Sequence, residues 1–290
     1  MVSVIKSEWH RGVRSWRFWV TVTLAVFLFL FAMLQYAPLG RQQVPRWNNF
    51  YTVTLAFLGS YFQALWPVLS PLVAALPAGD SLAIDRRRGA DALAITRVGW
   101  TSYLWGKLVG NVFVSVGAIA LALALAMGFA ALVYPVRLPR FLGWNVSNNL
   151  PYRVKISGVF GHAYPPTFHP HLFWAAPGLY VALAVLVALW ATAILSGIAV
   201  IAAFWVRPPI LTLAAPAIVF FLGDVVTQST LLAGHLVPSV YAGAYLWWRP
   251  SLASWGILFV YWAIPALIIV AILGWQGLWR REWPTRSIGQ

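Results

Sequence analysis

Apolar residues fall in long stretches along this chain, separated by short polar and basic clusters. A helix needs about 20 mostly apolar residues to cross a hydrocarbon core ~30 Å thick. Six stretches meet that length: residues 18–38, 51–76, 108–134, 172–206, 210–228 and 252–279. The fourth is long for one helix and short for two, so it is expected to be a single span bent near Pro177. The amino-terminal segment is patterned differently. Val2, Ile5, Trp9, Val13 and Trp16 recur every three or four positions, with Lys6, Arg11 and Arg14 between them. That spacing predicts a short amphipathic helix lying on the membrane surface before the first span. No small-residue cleavage site follows the first apolar run, so removal as a signal is not expected.

Composition agrees with the pattern. Of 290 residues, 61% are hydrophobic and only 9% charged, and the mean hydropathy is +0.77. A soluble domain carries roughly 25% charged residues to cover its surface. The expectation is an all-α integral membrane protein with six transmembrane helices, forming one membrane domain over residues 1–290. The net charge of +14 does not imply a nucleic-acid partner, because the basic residues flank apolar stretches singly or in short clusters. With both termini on one side, that side holds thirteen Lys and Arg and the other seven. By the positive-inside rule the richer side, with both termini, is expected to be cytoplasmic. Membrane lipids are then the surrounding partner. With no cysteine, disulfides, thiolate metal sites and cysteine nucleophiles are excluded.

Catalytic chemistry is sparse. Five of the six acidic residues (Glu8, Asp80, Asp85, Asp91 and Glu282) fall on the cytoplasmic side in this topology, and Asp224 alone lies in a span. An acid in a span faces protein or a water-filled cavity. Asp224 is therefore a candidate for a substrate pathway, together with Gln63 of the unusually polar second span. Threonines in that span, Thr52 and Thr54 among them, are expected to bond back to their own helix. His162, His169, His171 and His235 lie outside the spans, without a companion carboxylate or cysteine in their loops to complete a metal site. No phosphate-cradling loop is present: around Gly106-Lys107 the glycine spacing is wrong, and Leu108 replaces the Ser or Thr that would hold magnesium. Any nucleotide hydrolysis must come from another chain. Ala120, Ala124 and Gly128 in the third span form a small-residue ridge suited to close helix packing.

The most charged stretch is the loop at residues 77–107, between the second and third spans. Leu82, Ile84, Leu93 and Ile95 sit there among acids and arginines. Asp80 or Ser81 is placed to cap a short helix, Gly89 allows a turn or a close approach, and a second short helix is expected from Asp91 to about Val98. The order Asp85-Arg86, Gly89, Leu93, Ile95, then Lys107 entering the third span, resembles that of the ABC-2 type permeases, the membrane subunits of type V-like ATP-binding-cassette exporters. Asp85 stands where that family usually has Glu, Ala90 where Thr or Ser is common, and Arg97-Val98 where a proline is frequent.

The resemblance implies a plasma-membrane permease, bacterial or archaeal, whose loop 77–107 contains a cytoplasmic coupling helix. Asp85, Arg86, Gly89 and Leu93 would face a separate ATPase subunit, two of which serve each complex. A second permease copy or a homologue would complete the transporter. This chain would bind no cofactor and catalyse nothing itself, with ATP and magnesium held by the partner. Its cargo would be hydrophobic or amphipathic: a lipid, a drug-like compound or a peptide. The rival expectation is a membrane-embedded enzyme or haem- or lipid-handling protein, with the external loop 135–171, its histidines and Asp224 as the site.

Overall fold

In an apolar solvent each backbone N–H and C=O must find its partner within the segment, which leaves the helix as the form for such stretches. The computed structural model describes residues 1–43, 50, 51, 53, 54, 65–134, 136, 172, 175–206, 208–229 and 255–279. Every regular element among them is a helix: α1 Val2–Arg14, α2 Trp16–Gln43, α3 Leu65–Ala75, α4 Ser81–Arg88, α5 Ala90–Val98, α6 Trp100–Val133, α7 Pro177–Ala202, α8 Pro209–Ser229 and α9 Trp255–Trp279. Two of these, α6 and α7, are long and apolar enough to cross a membrane, and the bent pair α1–α2 makes a third if counted as one span. Residues 209–222 and 263–275 are apolar but shorter. Gln63, the four candidate histidines and the segment 137–171 lie outside the described residues.

The α1–α2 corner is made by Ser15. Its extended backbone (φ −73°, ψ 143°) ends α1, and the two axes then differ by 62°. The Ser15 hydroxyl donates to the Gly12 carbonyl at 2.7 Å and accepts the Phe18 N–H at 3.3 Å. One side chain thus serves a carbonyl at the end of one helix and a donor at the start of the next. The fourth stretch is interrupted at Ala176, and α7 begins with Pro177 in its first turn, where a proline costs no hydrogen bond.

A line of small residues along α6 organises the packing. Gly106, Gly110, Val114, Ala118, Ala122, Ala126 and Ala130 follow one another at intervals of four, and from Gly106 to Ala130 each is buried. The expected ridge is displaced by two positions, because Ala124 and Gly128 are exposed. The buried line wins because larger side chains close on it. Phe18, Val22, Leu28 and Phe29 of α2 and Tyr180, Val181 and Val187 of α7 complete that core. A second core joins Leu82 and Ala83 of α4 to Tyr103, Leu104 and Leu108 of α6, with α7, α8 and α9 contributing Ile194, Leu195, Phe220 and Leu273.

The first third of the small-residue line receives α1. A Cβ on Gly106 would meet Val4 Cβ at 2.7 Å, one on Gly110 would meet Glu8 Cβ at 2.6 Å, and one on Gly12 would meet Val114 Cγ2 at 2.5 Å. Both chains advance four residues per contact, so α1 runs parallel to α6. The row that packs is therefore Val4, Glu8 and Gly12, whereas Val2, Trp9 and Trp16 of the predicted apolar stripe stay exposed, Val2 at 75% and Trp16 at 68%. The ring edge of Trp9 still reaches α6, 3.1 Å from where a Cβ on Gly117 would stand. The outward part of the stripe suits a lipid interface. Outward faces of the long helices are similarly apolar, including Phe27, Phe113, Leu125, Leu132, Leu186 and Leu267, as a lipid-facing surface requires. Within the bundle, Ser115 of α6 and Ser196 of α7 hydrogen-bond at 3.0 Å. The Thr54 hydroxyl returns to the Phe50 carbonyl at 2.7 Å, the back-bonded state expected for threonine in an apolar helix.

Replacing Gly110 by Ala should lower the thermal midpoint in detergent by the equivalent of ~1–3 kcal/mol, since Glu8 Cβ is fixed to a helix and has little room to yield. Gly128→Ala, on an exposed stretch of the same helix, should be neutral or stabilising by up to ~1 kcal/mol. Equal losses in the two variants would refute the seam.

Candidate functional site

The segment between α3 and α6 is a strap of two short helices. Asp80 precedes α4, but its carboxylate makes no capping bond. Arg17 of α2 takes it instead, at 2.6 Å and 2.5 Å to its two oxygens. Arg86, Arg87 and Arg88 fill the last turn of α4, where cations meet the negative end of the helix dipole. Gly89 then turns the chain at φ 68°, a left-handed conformation that costs other residues energy. A Cβ at Gly89 would meet nothing within 4 Å, so the glycine is there for the turn and not for a close approach. In α5, the Asp91 carboxylate accepts the Ala92 N–H at 2.9 Å near the positive helix end. Gly99, at φ 78°, makes the second turn, into α6.

Four charges lock this strap to the bundle. Lys107 lies two turns into α6 and is only 1% exposed, facing the 4% exposed Glu8 of α1. Its ammonium is 2.7 Å from Glu8 Oε1 and 2.5 Å from Asp85 Oδ2. Arg11 donates to Asp85 Oδ1 at 2.8 Å, and the Tyr103 hydroxyl donates to Asp85 Oδ2 at 3.1 Å. Two carboxylates and two cations balance there, with Glu8 and Lys107 buried and the Arg11 side chain 44% exposed, so the buried charges are paired as burial requires. Nearby, the Ser81 hydroxyl donates to the Asn111 side-chain oxygen at 3.0 Å. Burial by itself pushes the Asp85 carboxyl up, but the hydrogen bond from Arg11 and the charge of Lys107 prevail and hold it below the ordinary carboxylate value.

The far end of α4 is held by Arg86. Its Nη1 donates to the carbonyls of Ala203 at 2.7 Å and Phe204 at 3.3 Å, just past the end of α7. The guanidinium carbon sits 5.1 Å from the Phe204 ring centre, a cation–π distance. The strap is thereby tied to α1, α2, α6 and the α7 terminus.

These contacts change the roles expected from sequence. Of the four residues expected to face a partner, Asp85 and Arg86 turn inward, Asp85 to Lys107 and Arg11 and Arg86 to the carbonyls of Ala203 and Phe204. Gly89 and Leu93 are outward, Leu93 at 68% exposure. In α5 the face formed by Asp91, Ala94, Ile95 and Val98 is partly buried, while Ala92, Leu93, Thr96 and Arg97 are exposed. Arg87 and Arg88 are exposed on α4. Asp224 lies on α8; its side chain, like Gln63, is outside what is described. Sequence reasoning gave Glu8 and Arg11 no part in a site and did not single out Arg17 or Tyr103. The available signal was a lone acid in a basic amphipathic helix and a lysine entering an apolar one, two unmatched charges of opposite sign.

No protein-family model, curated protein or solved structure matches this chain.

Lys107→Met should destabilise the protein by about 3–5 kcal/mol, leaving Glu8 and Asp85 buried with one cation fewer. Adding Glu8→Gln should recover part of that loss, measured as a positive coupling in a double-mutant cycle. A fully additive pair would show that the two groups do not interact. The Asp85 carboxyl is more acidic folded than unfolded. Its stabilising contribution is complete above the unfolded value, about pH 4, and is lost as pH falls through the lower folded value. Acid unfolding should therefore be less steep below about pH 4 in Asp85→Asn than in the parent; superimposable acid limbs would count against the ion pair.

Proposed function

We propose that this chain is the permease subunit of an ABC-2 type ATP-binding-cassette exporter, crossing the plasma membrane six times with both termini in the cytoplasm. The observation that carries the reading is the strap. A short helical element between two long apolar segments is clamped on its inner side by ion pairs, and its outer side presents an apolar Leu93 among Arg87, Arg88 and Arg97. An exposed apolar anchor flanked by arginines is the composition of a protein-docking surface. A purely topological loop needs the arginines but neither the clamp nor the anchor.

In this reading Gly89, Leu93 and the exposed arginines meet a separate ATPase subunit, two per complex, which holds ATP and magnesium. Asp85 and Arg86 brace the element from behind, so their part in coupling is mechanical. Closure of the ATPase pair moves the strap. The Lys107–Asp85–Glu8 lock carries that movement to α1 and α6, and Arg86 carries it to the end of α7. A second permease copy or homologue forms the other half of the pathway, and the cargo is hydrophobic or amphipathic. Gln63 and Asp224 remain the positions proposed for the pathway itself.

Leu93→Asp should abolish co-purification of an ATPase chain from mild detergent extracts, and ATP-dependent export with it. Its thermal midpoint should stay within the equivalent of ~0.5 kcal/mol of the parent, as for other exposed positions. Retention of the same ATPase by Leu93→Asp and by Arg87→Glu/Arg97→Glu would remove the reading.

A further inference from the structure

Beside the strap, on the side away from the four-charge lock, α4 and the turn from α7 to α8 enclose an open cavity of about 990 Å³. That is the upper end of the roughly 300–1,000 Å³ range of small-molecule sites and far more than one inorganic anion fills. Its two sides differ in chemistry. Arg86 and Arg87 line one, and Phe204, Trp205, Val206 and Ile210 line the other, with no acidic residue among the described lining. Arg86 is fixed in place by the Ala203 and Phe204 carbonyls. Arg87 is exposed on α4, and among the described residues it makes no ion pair. Helix α8 begins here at Pro209, adding the positive end of its dipole. On the apolar side, Trp205 is 63% exposed and Ile210 79% exposed, at the end of two apolar helices where aromatic residues meet lipid head groups.

We propose that this cavity is a binding site for one anionic phospholipid, whose phosphate engages Arg87 in the field of Arg86 while its acyl chains lie along Trp205 and Ile210. Charge complementarity selects an anion, and the adjoining exposed apolar wall selects one that carries hydrocarbon. A free phosphate would leave Ile210 and Trp205 uncovered. The site requires only that the chain sits in a membrane; it shares Arg87 with the surface assigned above to the ATPase, so lipid and ATPase would compete for that side chain.

The test uses the full chain, delipidated in detergent and titrated separately with phosphatidylglycerol, phosphatidylcholine and inorganic phosphate. Bound lipid is counted by native mass spectrometry. Brominated phosphatidylglycerol provides a second readout, the fraction of tryptophan quenching lost in Trp205→Phe. The expected result is saturable retention of one phosphatidylglycerol in preference to phosphatidylcholine. Arg87→Gln should weaken it about fivefold, the effect of one basic residue at an anionic head group. Ile210→Glu should weaken it further. Arg88→Gln removes the same charge one position along, outside this cavity, and should leave it unchanged. Equal weakening by Arg87→Gln and Arg88→Gln would overturn the proposal in favour of diffuse surface charge. Displacement of the lipid by equimolar inorganic phosphate would overturn it in favour of a small-anion site. A protein crosslinked from position 87 in native membranes, with no lipid retained, would overturn it in favour of a docking surface.

Discussion

Lys107 is the only charged residue of α6, and the arrangement around it follows from that fact. A lone ammonium in this setting costs several kcal/mol, and the cost is offset only when carboxylates and further donors close around it. Glu8 comes from the amino-terminal helix and Asp85 from the strap, each within hydrogen-bond reach. Arg11 and Tyr103 complete the coordination of Asp85. One ammonium on α6 thus ties α1 and the strap to the same point.

For the lock to form, α1 has to approach α6 closely, and glycine decides whether it can. Gly106 and Gly110 let the backbone of α1 approach until Val4 and Glu8 lie where a Cβ would otherwise be. Beyond Val114 the same four-residue interval continues with alanines, which accept the larger side chains of α2 and α7. Packing replaces the hydrophobic drive that lipid does not supply, so small residues at helix interfaces do the work that Leu and Phe do in soluble cores. In α1 the row that meets α6 is Val4, Glu8 and Gly12, while Val2, Trp9 and Trp16 are left at the surface.

The strap combines fixed and open sides. Its inner face is pinned at Asp80 by Arg17, at Asp85 by the lock, and at Arg86 by the end of α7. Its outer face keeps Arg87, Arg88, Leu93 and Arg97 exposed. An element fixed to four helices cannot move without moving them, which is the mechanical property a coupling element needs. The proposed lipid site shares one of those anchors, Arg86, so the head group and the strap meet at the α7–α8 turn.

Hydrophobic run length, charge content and turn residues are local properties, and they determined what could be read directly: helices throughout the described residues, spans among them, and two short helices hinged at Gly89 inside a charged loop. The glycine was legible because a left-handed turn needs it wherever the rest of the chain goes. What only the tertiary structure decided is which way each residue faces. Glu8 and Lys107 are separated by 99 positions, and no periodicity in either segment indicates that they meet. Asp85 and Arg86 carry the sequence signal of the loop yet point into the protein, because their partners, Lys107 and the carbonyls of Ala203 and Phe204, are brought there by helices far along the chain. The displacement of the α6 ridge from Ala120, Ala124 and Gly128 to Ala118, Ala122 and Ala126 has the same cause. Small residues occur on several faces of that helix, and only the neighbours that pack against it select one.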